Sequence, residues 1–152
     1  MPKAINANNN LCGVVMEKSL LDLIIELKNI CIEDEEKIRT ICNISLAEYK
    51  GITQIDIEEK ITCNLLSQKM DLSPSRGSRI IDNLVRKGYF LRTTNTEDRR
   101  SFVISLSSKG LKIRKKIKQE RSNCEERISS KFSKKKVKLI KEALDLISDA
   151  SR

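Results

Sequence analysis

The chain has 152 residues, 30 Lys and Arg against 21 Asp and Glu, a formal net charge of +9, and neither His nor Trp. This length fits one domain. The missing histidine excludes a histidine-ligated zinc site, a Ser-His or Cys-His nucleophile pair and an imidazole general base. Aromatic residues are 3% of the chain, too few for a stacking platform on single-stranded nucleic acid. A soluble, basic, mainly helical protein with an acidic partner remains.

The charge is unevenly placed. Residues 1–60 carry 7 basic and 11 acidic side chains, residues 61–110 carry 9 and 4, and residues 111–152 carry 14 and 6. An acidic front and a basic back are the footprint of a polyanion-binding chain. No apolar run is long enough to cross a membrane, and the polar start Met1–Asn10 lacks the pattern of a signal peptide. The expectation is a cytoplasmic protein. The five cysteines, Cys12, Cys31, Cys42, Cys63 and Cys124, form no C-x-x-C pair. In a reducing compartment most are expected to be small buried hydrophobes. No metal or cofactor is expected.

Leu11 to Ile30 reads as one long helix, apolar most of the way round. Such a helix must be covered on several sides, and a second copy of the chain could do that. The acidic run Glu33–Glu36 and the residues to Ile44 fit either a short helix or an extension of the first. Ser45-Leu46-Ala47-Glu48 has the spacing of a capping box, predicting a helix from Ser45 to about Ile55. Thr62 to Met70 is predicted as a second short helix with Ile61, Leu65, Leu66 and Met70 facing inward. Ser73-Pro74 opens a third, Ser73 as N-cap and Pro74 at the first helical position. It runs to about Lys87 and stops at Gly88. Ile80, Ile81, Leu84 and Val85 form its apolar face, and Ser75, Arg76, Ser78 and Arg79 crowd its N-terminal half.

Tyr89–Thr94 is β-prone. Ser101–Ser107 alternates, with Phe102, Ile104 and Leu106 on one side, as a half-buried strand does. Between them, Arg99 and Arg100 fall at or near a hairpin tip. Lys109 to about Ser129 is a basic helix. Ser133 caps a last helix carrying Val137, Ile140, Leu144 and Ile147.

Two short helices, a tight turn, a helix with Ser and Arg at its start and a β-hairpin describe a winged helix-turn-helix. In that motif the second helix enters the major groove of double-stranded DNA. There arginine can pair two donors with guanine, and serine can serve either base type. An arginine at a hairpin tip suits the narrow minor groove. The expected DNA-binding set is Ser73, Ser75, Arg76, Ser78, Arg79, Arg99 and Arg100.

The run Leu72–Gly88, followed by Asp98-Arg99-Arg100 and Leu106-Ser107-Ser108-Lys109-Gly110, resembles the MarR family of winged-helix regulators, whose wing signature is D-x-R, a strand, then L-[T/S]-x-x-G. Ser45–Tyr49 fits that family's second helix. The resemblance implies a mainly α fold with a small β-hairpin wing in a single domain, 1–152. Its parts would be an N-terminal dimerisation helix and connector (11–44), a DNA-binding lobe (45–110) and C-terminal dimerisation helices (111–150). It further implies a homodimer on a pseudo-palindromic operator, acting as a repressor, with Ser75, Arg76, Ser78 and Arg79 in the major groove, Arg100 in the minor groove and Asp98 orienting the wing arginines. A small-molecule effector in the dimer cleft would belong to the same pattern. The acidic span before Ser45 is longer than the family's, and no ligand residue carries over.

Cys12 resembles in position the peroxide-sensing cysteine of the family's organic-hydroperoxide branch, and a helix start favours a thiolate. The tyrosines that accompany that thiol have no counterpart, since Tyr49 and Tyr89 lie outside the first helix. Two alternatives stay open: a MarR-like interaction module without operator specificity, and a thiol-based redox-sensing regulator. No spacing suggests an enzyme.

Overall fold

The computed structural model describes residues 17–95 and 102–150. The elements run α1 (Leu20–Cys42), α2 (Leu46–Thr53), β1 (Ile61–Thr62), α3 (Cys63–Lys69), α4 (Pro74–Arg86), β2 (Phe90–Thr94), β3 (Phe102–Leu106), α5 (Ser108–Ser129) and α6 (Lys134–Ala150). The chain divides into a unit up to Ile32 and a unit from Glu33 onward.

In the first unit α1 begins at Leu20, and residues 11–16 of the predicted helix lie outside the described residues. Ser19 and Asp22 exchange caps: the Ser19 N–H donates to Asp22 Oδ2 and the Asp22 N–H to Ser19 Oγ, each at 3.1 Å. This reciprocal arrangement satisfies donors that a helix start leaves open. Leu20, Leu21, Leu23, Ile25, Leu27, Ile30 and Ile32 are all exposed.

The acidic span left open by the sequence is the continuation of α1 to Cys42, with Ile38 and Cys42 buried one turn apart. The helix stops at Asn43, whose φ of 53° lies in the left-handed region. Asparagine tolerates that conformation and can end a helix as glycine does.

The second unit is built around Ile52, Ile55, Leu66, Ile81, Leu84, Phe90, Ile104 and Ile117, all essentially inaccessible. The sheet order is β1-β3-β2, antiparallel throughout. β1 was not anticipated. It contributes only Ile61 opposite Ile104 and Thr62 opposite Val103. Leu65 was expected inward and is exposed, because α3 turns Leu66 and Ser67 to the core. Phe102 is also exposed, although Ile104 and Leu106 on its side of β3 are buried. Gly88 terminates the α4 segment with φ 75°, a conformation open to glycine without steric cost. Ser107 caps α5 through the Gly110 N–H at 3.0 Å and donates to the Gly88 carbonyl at 2.6 Å. No residue of α6 is buried. Among the described residues no helix is long and apolar enough to cross a membrane.

Candidate nucleic-acid interface

The expected reading helix is α4. Three local features set its position. Asp71, with φ 55°, reverses the chain after α3, and the Leu72 N–H donates back to the Ser67 carbonyl at 3.0 Å. Pro74 stands at the first helical position, where its missing donor costs nothing. Gly77 then lies directly on α3: a β-carbon there would come within 2.0 Å of Ser67 Oγ and 3.0 Å of Ser67 Cα. The two helices cross where neither presents a bulky side chain. Ser67 Oγ donates to the Cys63 carbonyl at 2.7 Å, so its hydroxyl is satisfied in this buried place.

With Gly77, Ile81 and Leu84 facing inward, Ser75, Arg76 and Arg79 are exposed and Ser78 is half-buried. Arg76 and Arg79 have no ion-pair partner among the described residues. Arg86, by contrast, donates to Asn83 Oδ1 at 2.8 Å. Ser73 is the N-cap by backbone geometry, but its hydroxyl makes no capping bond. It lies 3.4 Å from Ser75 Oγ instead, while its carbonyl accepts from the Gly77 N–H at 2.9 Å. The structure therefore groups Ser73, Ser75, Arg76 and Arg79 at one end of α4, with Ser78 partly behind them. Asp98, Arg99, Arg100 and Cys12 lie outside the described residues.

Two polar links support the lobe and were not foreseen. Glu48, only 2% exposed, completes the capping box of α2 by accepting from the Ser45 N–H at 2.8 Å, and it pairs with Lys87 at the end of α4. Burial pushes its carboxyl up. The Lys87 ammonium and the Ser45 hydrogen bonds outweigh this and leave it below the usual carboxylate range. The second link joins helix to wing: Arg92 on β2 donates to Asp82 on α4 and stacks over the Phe102 ring at 5.4 Å. Asp82 and Arg92 flank the Gly88 stop with opposite charges, the available signal for the second link, whereas Glu48 and Lys87 are 39 residues apart. Of the cysteines, Cys42 is buried and its thiol is pushed up by desolvation, whereas Cys31 is exposed.

An α2–α3–α4 core with a β2–β3 ribbon against it defines a winged helix-turn-helix protein. The sequence profile of the MarR family matches residues 44–102, within the winged lobe of this chain. The chain is 28% identical over 104 residues to the HTH-type transcriptional regulator SarZ of Staphylococcus saprophyticus, covering 68% of this chain and 66% of the relative. It is 31% identical over 94 residues to the HTH-type transcriptional regulator PapX of Escherichia coli, covering 56% and 57%. The matched region thus spans somewhat less than two thirds of each relative's length. In fold, it is similar to Streptococcus pneumoniae FabT, whose structure was solved in complex with DNA, with a TM-score of 0.72 at 23% identity over 84% of this chain and 90% of that one.

Proposed function

We propose that the chain is a sequence-specific double-stranded DNA-binding transcriptional regulator. It acts as a repressor: a homodimer on a pseudo-palindromic operator, with α4 in the major groove and the wing at the minor groove. The observation that carries this reading is the end of α4. There Ser73, Ser75, Arg76 and Arg79 stand exposed, and neither arginine is held by a carboxylate within the described residues. Arginines left without acidic partners on a helix end match the geometry in which helix-turn-helix proteins meet base edges. The name of SarZ and the DNA complex of FabT support the same reading. Asp98, Arg99 and Arg100 are proposed for the wing tip on sequence grounds.

The dimer is proposed from the apolar surface. Ile128, Phe132, Val137, Ile140 and Leu144 line a groove of about 250 Å³ between the end of α5 and α6. A second copy would cover it, and the exposed leucines and isoleucines of α1 offer a matching chemistry. For an effector, Arg114, Lys118 and Arg121 line a cavity of about 590 Å³ together with Asp56, Ile57 and Glu125, Arg114 pairing with Asp56 at 3.7 Å. Its cations favour an anionic molecule.

The test is a duplex selected by the full chain from a random pool and titrated with salt. Affinity should fall steeply as salt rises, since several phosphates are neutralised. Arg76→Ala and Arg79→Ala should each lose about 1–3 kcal/mol of discrimination against altered bases with little change in thermal stability. Salt-independent binding, or discrimination unchanged in both variants, would refute the reading.

A further inference from the structure

Arg92 stands where three elements meet. It lies on β2 opposite Ile104 of β3, and two positions along the ribbon the next pair on the same face is Thr94 with Phe102. Arg92 and Phe102 are therefore diagonal neighbours on one face of the ribbon, within reach of a long side chain. The guanidinium sits over the Phe102 ring at 5.4 Å and donates to the Asp82 carboxylate of α4. Among the described residues this is the only ion pair between α4 and the wing strands. Among the described residues β1 pairs with β3 alone, and no strand lies beside the outer edge of β2.

Asp82 also poses an electrostatic problem. It follows Ser78 and Arg79 by four and three residues, so all three lie along one side of the helix. An unbalanced carboxylate there would repel phosphate. We infer that Arg92 is a positioning residue of the interface: bridging Asp82 and Phe102, it sets the pitch of the wing against α4 and neutralises the carboxylate on the side that meets DNA. The inference rests on the DNA-binding reading for its consequence, and on the geometry alone for the bridge.

The exposed ion pair contributes little to global stability, so the expected signature is local. The experiment uses the full chain, a duplex selected by the wild-type chain from a random pool, and an unrelated duplex of equal length. Arg92→Ala and Asp82→Asn should leave the thermal midpoint within about 3 °C. Amides of β2 and β3 should exchange hydrogen several-fold faster in both variants, with no DNA present. Arg92→Ala should bind the selected duplex about tenfold more weakly, with a shallower salt slope from lost wing contacts. The charge-swapped double variant, Asp82→Arg with Arg92→Asp, keeps the ion pair but loses the cation over Phe102, and should restore part of the affinity and of the slow exchange.

Unchanged affinity and exchange in Arg92→Ala overturn the inference. Weakened binding that the swap does not even partly restore overturns it too, because Arg92 would then be touching DNA itself. If the wild-type chain selects no duplex, the DNA-binding reading fails. The exchange measurement then judges the bridge independently: faster wing exchange upholds it, and unchanged exchange overturns it.

Discussion

Gly77 has a single structural duty, and it is steric. Its φ is ordinary for a helix, so the constraint is the space against Ser67. A methyl group there would have to displace the Ser67 Oγ, Cβ and Cα, with contacts of 2.0, 2.4 and 3.0 Å. A hydroxyl can rotate away, but a backbone carbon cannot. Gly77→Ala must therefore push α4 off α3, and overpacking of this kind costs about 1–3 kcal/mol. Helix propensity works the other way, since alanine is favoured over glycine by up to about 1 kcal/mol. Steric displacement should prevail, and urea unfolding should show a lower midpoint at unchanged slope. A midpoint at or above wild type would show that the crossing is looser than these distances. The same displacement would move Arg76 and Arg79, so DNA affinity should fall by more than the loss of folded protein explains.

Among the elements, α2 is tied to α4 through Glu48, and its chemistry gives the lobe a pH dependence of definite sign. The folded carboxyl is held below its ordinary value. Its contribution is therefore complete above the unfolded value of 4.5 and is lost as pH falls through the lower folded one. Glu48→Gln keeps the shape and removes the charge. Above about pH 5 it should cost about 1.5–3 kcal/mol, the range for a hydrogen bond to a charged group. The gap to wild type should narrow as the pH falls through the lowered folded value. A gap that stays constant over that range would mean that Glu48 acts through packing alone. The capping half of this arrangement was legible in Ser45-Leu46-Ala47-Glu48, because a capping box is a local motif with fixed spacing. The Lys87 half was not, since it joins residues 39 apart through a fold that must first exist. The same reason separates the readable limits of α4, punctuated by Ser73, Pro74 and Gly88, from the unread Asp82–Arg92 bridge. β1 was missed because two residues carry no period. Asn43 was missed as a stop because only its left-handed backbone distinguishes it from any polar helix residue.

For the whole molecule, the question is what covers α6. A helix with no buried residue and with Leu139, Ile140, Leu144 and Leu146 all more than 40% exposed cannot owe its place to the core it accompanies. Full burial of such side chains is worth about 1.5–3 kcal/mol each, enough that several together outweigh the entropy of pairing two chains only if they are buried jointly. The groove lined by Ile128, Phe132, Val137, Ile140 and Leu144 has its polar boundary in the Lys141–Glu125 pair at 3.1 Å, which resembles the apolar centre and charged rim of a protein interface. Leu144→Glu places a charge in that centre without touching the core of the winged lobe. Sedimentation should show the wild-type chain at twice the monomer mass and the variant at least tenfold weaker in self-association. The variant's far-ultraviolet circular dichroism should remain helical. Its affinity for a two-half-site duplex should fall further than its affinity for one half-site, because linking two lobes is what raises avidity without new contacts. An unchanged dimer would move the interface off α6. A wild-type chain that sediments as a monomer at micromolar concentration would remove the two-fold operator from the proposed function and leave a single winged lobe to account for any binding.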